Sequence, residues 1–289
     1  MRITNNMRQA QVLRNLQSNL TALARAQAQV ASGKRFTRSS EDPVGASRVM
    51  RSEQALRGLT QYRRNTTAVR ARVDAQEAVL SQLTDLLTRA KELAVTQASD
   101  TASAATRADT AVEVDALIQQ VIQLGNTRVG DEHIFGGHQT SVPPFQGDGT
   151  YVGDDGVRQS EIATGYLVTA NHSGRELLAD SGVISGLVAL RDQLRAGDGA
   201  AVGGTIAGLN DAFDSVQVLL AQTGARSRQL DTALVNVDSS ETSLKVALDA
   251  DQGISIEEAT TRMMAVQTTL QAALMSTASL LQTSLTEYL

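Results

Sequence analysis

The residues most able to do chemistry in this 289-residue chain are three histidines, His133, His138 and His172, and a set of aspartates, Asp148, Asp154 and Asp155. In "EHIFGG" the acid precedes His133, whereas the His-Glu-x-x-His zinc pattern needs a glutamate after the first histidine so that two imidazoles share one helix face. None of the three histidines has metal-ligand spacing, and they read as surface or turn residues. The aspartates miss the spacing of an EF-hand loop, and the glycines around them mark them as turn formers. No Walker A, G-x-S-x-G or G-x-G-x-x-G sequence is present to cradle a phosphate or raise a nucleophile. Cysteine is absent, which removes thiolate ligands, a cysteine nucleophile and any disulfide framework. The reading is of no catalytic residue, no cofactor and no metal.

With no chemistry to position, the elements themselves carry the information. Aromatic residues are 3% of the chain and tryptophan is absent, a balance that suits long helices more than a lined binding cavity. Near the start, Leu13, Leu16, Leu20, Leu23, Gln27 and Val30 step by three and four, which sets a narrow stripe along one side of a helix. Near the end, Met263, Val266, Leu270, Leu274, Thr277, Leu281, Leu285 and Tyr288 fall within an arc of roughly 100° at 100° per residue. Each stripe calls for a helical partner. From Met263 to Thr286 the chain holds no charged side chain, yet Gln, Ser and Thr interrupt it. That is too polar for a lipid-facing span, and the missing Lys and Arg argue against an interfacial membrane helix. The expectation is no membrane insertion.

Between the stripes, "SSEDPVGAS" reads as a helix start, with Asp42 as cap and Pro43 in the first turn, where its lack of an N–H costs nothing. A long helix is expected over 43–97, then a break in "SDTASAAT", then a helix over 107–128. On the return side a helix over 184–194 precedes a glycine-rich stretch and a second long helix over 205–248. The stretch 133–178 differs in kind: all three histidines, Pro143, Pro144 and alternating runs such as "GTYVG" and "GYLVTAN" indicate short antiparallel strands. The expected fold is mainly α: a long antiparallel helical bundle or coiled coil formed by the N- and C-terminal halves, with a small central β-rich insertion. The domain expectation is an N-terminal coiled-coil helix over 1–40 paired with a C-terminal one over 253–289. An outbound helical part spans 41–132, the insertion 133–178 as a separate module, and return helices 179–252. The candidate interface residues are Leu13, Leu16, Leu20, Leu23, Val30, Met263, Val266, Leu270, Leu274, Leu281, Leu285 and Tyr288.

A net charge of -5 conceals an asymmetry: residues 1–73 hold 14 Lys+Arg against 3 Asp+Glu, leaving 12 against 28 elsewhere. The basic part has only Phe36 and Tyr62 to stack on bases, and no nucleic-acid-binding pattern accompanies it. Residues 230–289 carry 8 acids against 2 bases, so attraction between the two ends of the chain explains the asymmetry without nucleic acid. The N-terminus lacks the continuous apolar run of a secretory signal peptide, so general secretion is not expected.

Several segments occur in matching order with a known family: "MRIT", "VASGKRFTRSSEDPVGASR" at 30–48, "HIFGG", "PPFQGDGTYVGDDGVRQSEI", "GAR" at 224–226 and the final "SLTEYL". Through them nearly the whole chain resembles the bacterial flagellin superfamily and, more specifically, its hook-filament junction branch, the type 3 hook-associated proteins. "GARSRQL" departs from the family, which more often has Asn before Arg-Leu. The resemblance implies a structural adaptor of the bacterial flagellum, exported unfolded from the cytoplasm by the flagellar type III system to an extracellular place at the hook-filament junction. The partners it implies are hook-associated protein type 1, flagellin, further copies of the chain in a ring or helical layer, and an export chaperone. A minor flagellin that forms the filament itself is the alternative.

Overall fold

The computed structural model describes the backbone of residues 5–286, with side chains at Met7 and from 10 to 278. Helices dominate: α1 (Asn5–Ser32), α2 (Pro43–Gln97), α3 (Ala104–Gly125), α4 (Val183–Ala196), α5 (Gly199–Gln252) and α6 (Ile256–Thr286). Two small antiparallel hairpins, β1 (Arg128–Val129) with β2 (Glu132–His133) and β3 (Gln159–Ala163) with β4 (Tyr166–Thr169), lie between α3 and a π-helical turn at Arg175–Asp180. The mainly α class expected from the stripes is borne out. The chain divides into two compact units, residues 1–58 with 239–289, and residues 59–238.

Local chemistry sets the helix ends. Asp42 Oδ1 accepts from Gly45 N at 2.8 Å at the start of α2, and a Cβ at position 45 would press into that carboxylate. Ser103 caps α3 by accepting from Thr106 N at 3.1 Å. Gly197, with φ +77°, closes α4 in the left-handed conformation.

In the unit of residues 59–238, Leu80, Leu83 and Leu87 of α2, Val114 and Val121 of α3, Leu187 and Leu190 of α4, and Leu209 and Val216 of α5 share one core. The same core contains Ile134, Phe135, Phe145, Leu177 and Leu178 from the stretch between the helical halves. A second cluster seats Ile162 and Val168 of the β3–β4 hairpin on Val69, Val73 and Leu230. The β-rich stretch is therefore packed into the helices and not appended to them. Its alternating pattern marks strands but is silent on what their buried side rests against. α2 and α5 align antiparallel: Arg63 pairs with Asp238 at 2.5 Å, Arg70 with Asp231, and Gln217 Nε2 reaches Thr84 Oγ1 at 3.5 Å. In the other unit Arg48 meets Asp251 at 2.7 Å. The basic outbound and acidic return segments do attract each other, as their composition implies. Such exposed pairs are each worth about 0 to 1 kcal/mol, so they select alignment while the apolar core supplies stability.

Two histidines depart from the surface reading. His133 is buried, its Nδ1 2.9 Å from Asn126 O. His172 is also buried, with Nδ1 3.1 Å from Glu176 Oε2 and Nε2 3.1 Å from Arg226 Nη1. A carboxylate only accepts and a guanidinium only donates, so Nδ1 carries the proton and Nε2 accepts. Gln76 joins this group from α2, donating to Ala170 O at 2.8 Å and accepting from His172 N at 3.3 Å. The cluster fastens the end of the hairpin to α2 and α5. His138 is exposed, and its N–H donates to Asp154 Oδ1 at 2.7 Å. Asp154 also accepts from Gly156 N at 2.8 Å, and Asp148 from Thr150 N at 2.9 Å, in keeping with their reading as turn residues.

Arg107 is buried with no carboxylate partner among the described residues. Its guanidinium instead donates to three carbonyls at helix ends: Gln97 O at 3.0 Å, Ser99 O at 2.9 Å and Gly197 O at 2.9 Å. The C-terminal dipoles of α2 and α4 take the place of a counter-ion. Arg107→Ala leaves these carbonyls bare and is expected to lower stability by about 3 kcal/mol, with Arg107→Lys restoring only part because one ammonium cannot span all three. Urea unfolding of the three proteins checks this, and equal midpoints for wild type and alanine variant would refute it.

Burial and the neighbouring Arg226 cation push the His172 imidazole below its usual value near 6.5. The unfolded chain therefore takes up this proton at higher pH than the folded one, so the contribution is intact above about 6.5 and is lost as pH falls below it. Urea midpoints are expected to drop between pH 7 and pH 5, and less so in His172→Gln. Parallel pH dependence in the two proteins would remove His172 as the cause.

Candidate assembly interface

The surface of interest lies in the unit of residues 1–58 and 239–289, where α1 and α6 pack together. α1 turns inward Val12, Leu16, Asn19, Leu23, Ala26 and Val30, all partly or fully buried. α6 turns inward Ala259, Met263, Val266, Leu270, Ala273 and Thr277. Both series alternate steps of four and three, the seam spacing of a coiled coil. The structure thus gathers six of the sequence-derived interface residues into the seam: Leu16, Leu23, Val30, Met263, Val266 and Leu270.

Three others lie elsewhere. Leu13, Leu20 and Leu274 are 59%, 49% and 48% exposed, on the outside of the pair, and Gln27 is exposed too. The sequence reading followed the longest side chains, but α1 satisfies three-and-four spacing along two adjacent lines. The line through Asn19 and Ala26 is the one buried in the pair. Ala26, Ala259 and Ala273 give no hydrophobic signal strong enough to have singled them out. The side chains of Leu281 and Leu285, and Tyr288 altogether, lie outside the described residues.

Pairing therefore leaves large apolar side chains in solvent outside the seam: Leu13 and Leu20 on α1, and Ile256, Met264, Leu274 and Met275 on α6, the last 77% exposed. The polar residues between them are less polar in effect than in name. The hydroxyls of Thr260, Thr268 and Thr269 donate back to the carbonyls of Ile256, Met264 and Ala265 at 2.7, 2.9 and 2.9 Å. Each is satisfied within its own helix. The charge-free part of α6, from Met263 onward, can be buried a second time at little desolvation cost. No helix among the described residues is long and apolar enough to cross a membrane.

Long antiparallel helices, a terminal helix pair and a charge-free run along α6 define the class by its fold: a mainly helical protein built on paired terminal helices. Residues 3–140 match the bacterial flagellin N-terminal helical region. Over 179 residues, 61% of this chain and 56% of the relative, the sequence is 29% identical to the flagellar hook-associated protein 3 of Escherichia coli. The same protein of Salmonella typhimurium is 28% identical over the same shares. The flagellar filament 41 kDa core protein of Borreliella burgdorferi is 29% identical over 124 residues, 43% of this chain and 37% of the relative. Among solved structures, FlgL of Bacillus cereus superposes with TM-score 0.62 at 24% identity, covering 69% of this chain and 99% of that one. The flagellar junction protein FlgL of Legionella pneumophila gives 0.60 at 15%, covering 72% and 100%. The match spans little more than half the length of the curated hook-associated relatives. The likeness to hook-associated protein 3 extends further along the sequence than the likeness to filament core proteins.

Seam and outer positions predict different outcomes. Leu270→Asp forces a carboxylate into the α1–α6 seam and should unpair those helices, seen as lost helical circular dichroism and faster hydrogen exchange in α1. Leu20→Asp, outside the seam, should leave the spectrum and unfolding free energy within about 0.5 kcal/mol of wild type. Loss of helicity in Leu20→Asp but not in Leu270→Asp would contradict both placements.

Proposed function

We propose that this chain is a structural subunit of the bacterial flagellum that forms an adaptor layer at the hook-filament junction. It would join hook-associated protein type 1 on the hook side to the flagellin filament, beside further copies of itself. The observation that carries the reading is the set of large apolar side chains left exposed on the α1–α6 pair. Leu13, Leu20, Met264 and Met275 stay in solvent although both helices have already buried one face against each other. Apolar side chains left open after intramolecular pairing are what repeated neighbours would cover. The wider likeness to hook-associated protein 3 supports the junction, and in this reading the chain performs no catalysis.

The terminal segments, 1–40 and 253–289, would line the assembly, with 41–132 and 179–252 supporting them and 133–178 seated on the supporting helices. A wall facing a bore through which unfolded chains travel is best left without fixed charges, since either sign would hold some passing segment. The charge-free run from Met263 to Thr286 agrees with this. The chain itself would reach its extracellular place by the same type III route, held beforehand by an export chaperone, and the absence of cysteine keeps it free of cross-links.

The matches to filament core proteins favour one rival, a minor flagellin. Two measurements separate them. A strain lacking the chain should retain hooks and shed flagellin into the medium, while gold-labelled antibody should mark only the hook-filament boundary in the parent. Purified chain should stay a monomer or small oligomer; growth of long filaments from it alone, or label along the filament, would establish the rival.

A further inference from the structure

Where α1 ends and α6 begins, the two linkers touch. Gly33, with φ +64°, ends α1 in the left-handed conformation. Arg35 N then donates to Gln252 O at 2.7 Å and Ile254 N to Gly33 O at 3.1 Å, forming an isolated antiparallel bridge between Lys34 and Gly253. Gln29, in the last turn of α1, is buried and donates its Nε2 to Arg35 O at 2.6 Å, while its Oε1 has no partner. An amide held out of water for one bond, with its acceptor unsatisfied, is an unfavourable arrangement. It persists here where it ties α1 to the bridge. Phe36 anchors the same linker, buried with Ala46 and Val49 beside Leu248.

The seam beyond the bridge does little to choose its own alignment. Among the described residues no ion pair joins α1 to α6, and Asn19, the polar residue in the α1 series, makes no side-chain hydrogen bond. Counting away from the bridge sets Leu23 level with Val266 to within about half a turn. A slip of one heptad sets Leu16 level with Val266 and Val12 with Leu270, apolar against apolar once more. Such a slip displaces one helix along the other by about 10.5 Å, at about 1.5 Å per residue. Leu13 and Leu20 would then stand beside different residues of α6.

We propose that the bridge between residues 33–35 and 252–254, with Gln29 bound to it, is a register clamp. It selects one of several near-equivalent alignments of α1 and α6, and so makes the arrangement of the exposed apolar side chains identical in every copy that a second copy of the chain must meet. The clamp is a property of one chain; its consequence for docking copies rests on the assembly reading above. Repetitive seams elsewhere gain their register from a buried polar pair or flanking charges, and here the linkers take that part.

Because the chain has no cysteine, paired cysteines report the alignment directly. Leu23→Cys with Val266→Cys reads the observed register, and Leu16→Cys with Val266→Cys reads the register slipped by one heptad. With the linkers intact, oxidation of the full-length protein should close the first pair and not the second. Adding Gln29→Leu and Ile254→Pro, which removes the Gln29 donor and the Ile254 N–H, should raise the slipped product about tenfold, the scale of one or two lost hydrogen bonds. Native-only product in that background, or slipped product with the linkers intact, overturns the clamp. If circular dichroism shows that the paired substitutions unwind the helices, Gln29→Leu alone is measured. It keeps both backbone bonds, so a rise of about fivefold is expected, and an unchanged ratio overturns the proposal. These cross-links form within one chain, so a failed junction reading would leave their outcome unaltered.

Discussion

The structure depends on narrow apolar stripes being buried between helices that are far apart in sequence. Neither α1 nor α6 has a wide enough apolar face to be stable alone, since an isolated helix in water is marginal even with favourable residues. Paired, each buries a line one or two side chains wide. A fully buried Leu or Met contributes about 1.5 to 3 kcal/mol, whereas an exposed ion pair contributes about 0 to 1. Burial therefore holds the pair together and polar contacts decide how it is aligned. The same division holds in the unit of residues 59–238, where leucines and valines of α2, α3, α4 and α5 make the core. Arg63–Asp238 and Arg70–Asp231 keep α2 and α5 in step.

Buried polar groups sit at joints. Arg107 binds the loop after α2 to the end of α4 through carbonyls that the helix ends leave unpaired. His172, Gln76 and Arg226 meet where the hairpin rejoins the helices. Gln29 meets the linker bridge at the end of α1. At each place a change of chain direction exposes backbone groups that no regular element satisfies, and a long polar side chain supplies the bond. These residues hold conformation, and nothing in their surroundings requires chemistry from them.

The terminal pair has the opposite character. Its seam is satisfied within the chain, while outside the seam exposed Leu and Met share α6 with threonines already bonded to their own helix. From Met263 onward α6 carries no charged side chain up to Thr286, so this part has little to lose when covered.

Much of this was legible in the sequence, because it depends on local rules. Helix starts such as "SSEDPVGAS" follow from caps and proline. The mainly α class follows from three-and-four spacing, and the attraction of the two ends from the sign of their charges. What the sequence left open depends on which face meets which neighbour. Two lines on α1 satisfy the same periodicity, and only the approach of α6 chose the one through Asn19 and Ala26 and turned Leu13 and Leu20 outward. His133 and His172 lie in a glycine-rich stretch whose composition resembles a surface loop, and the helices beneath it made them interior. The bridge between Lys34 and Gly253 joins residues more than two hundred positions apart through backbone atoms that every residue possesses. Periodicity, capping and charge are properties of single segments and can be read along the chain. The choice of partner face, the burial of loop residues and long-range backbone pairing belong to pairs of segments, and only the folded chain decides them.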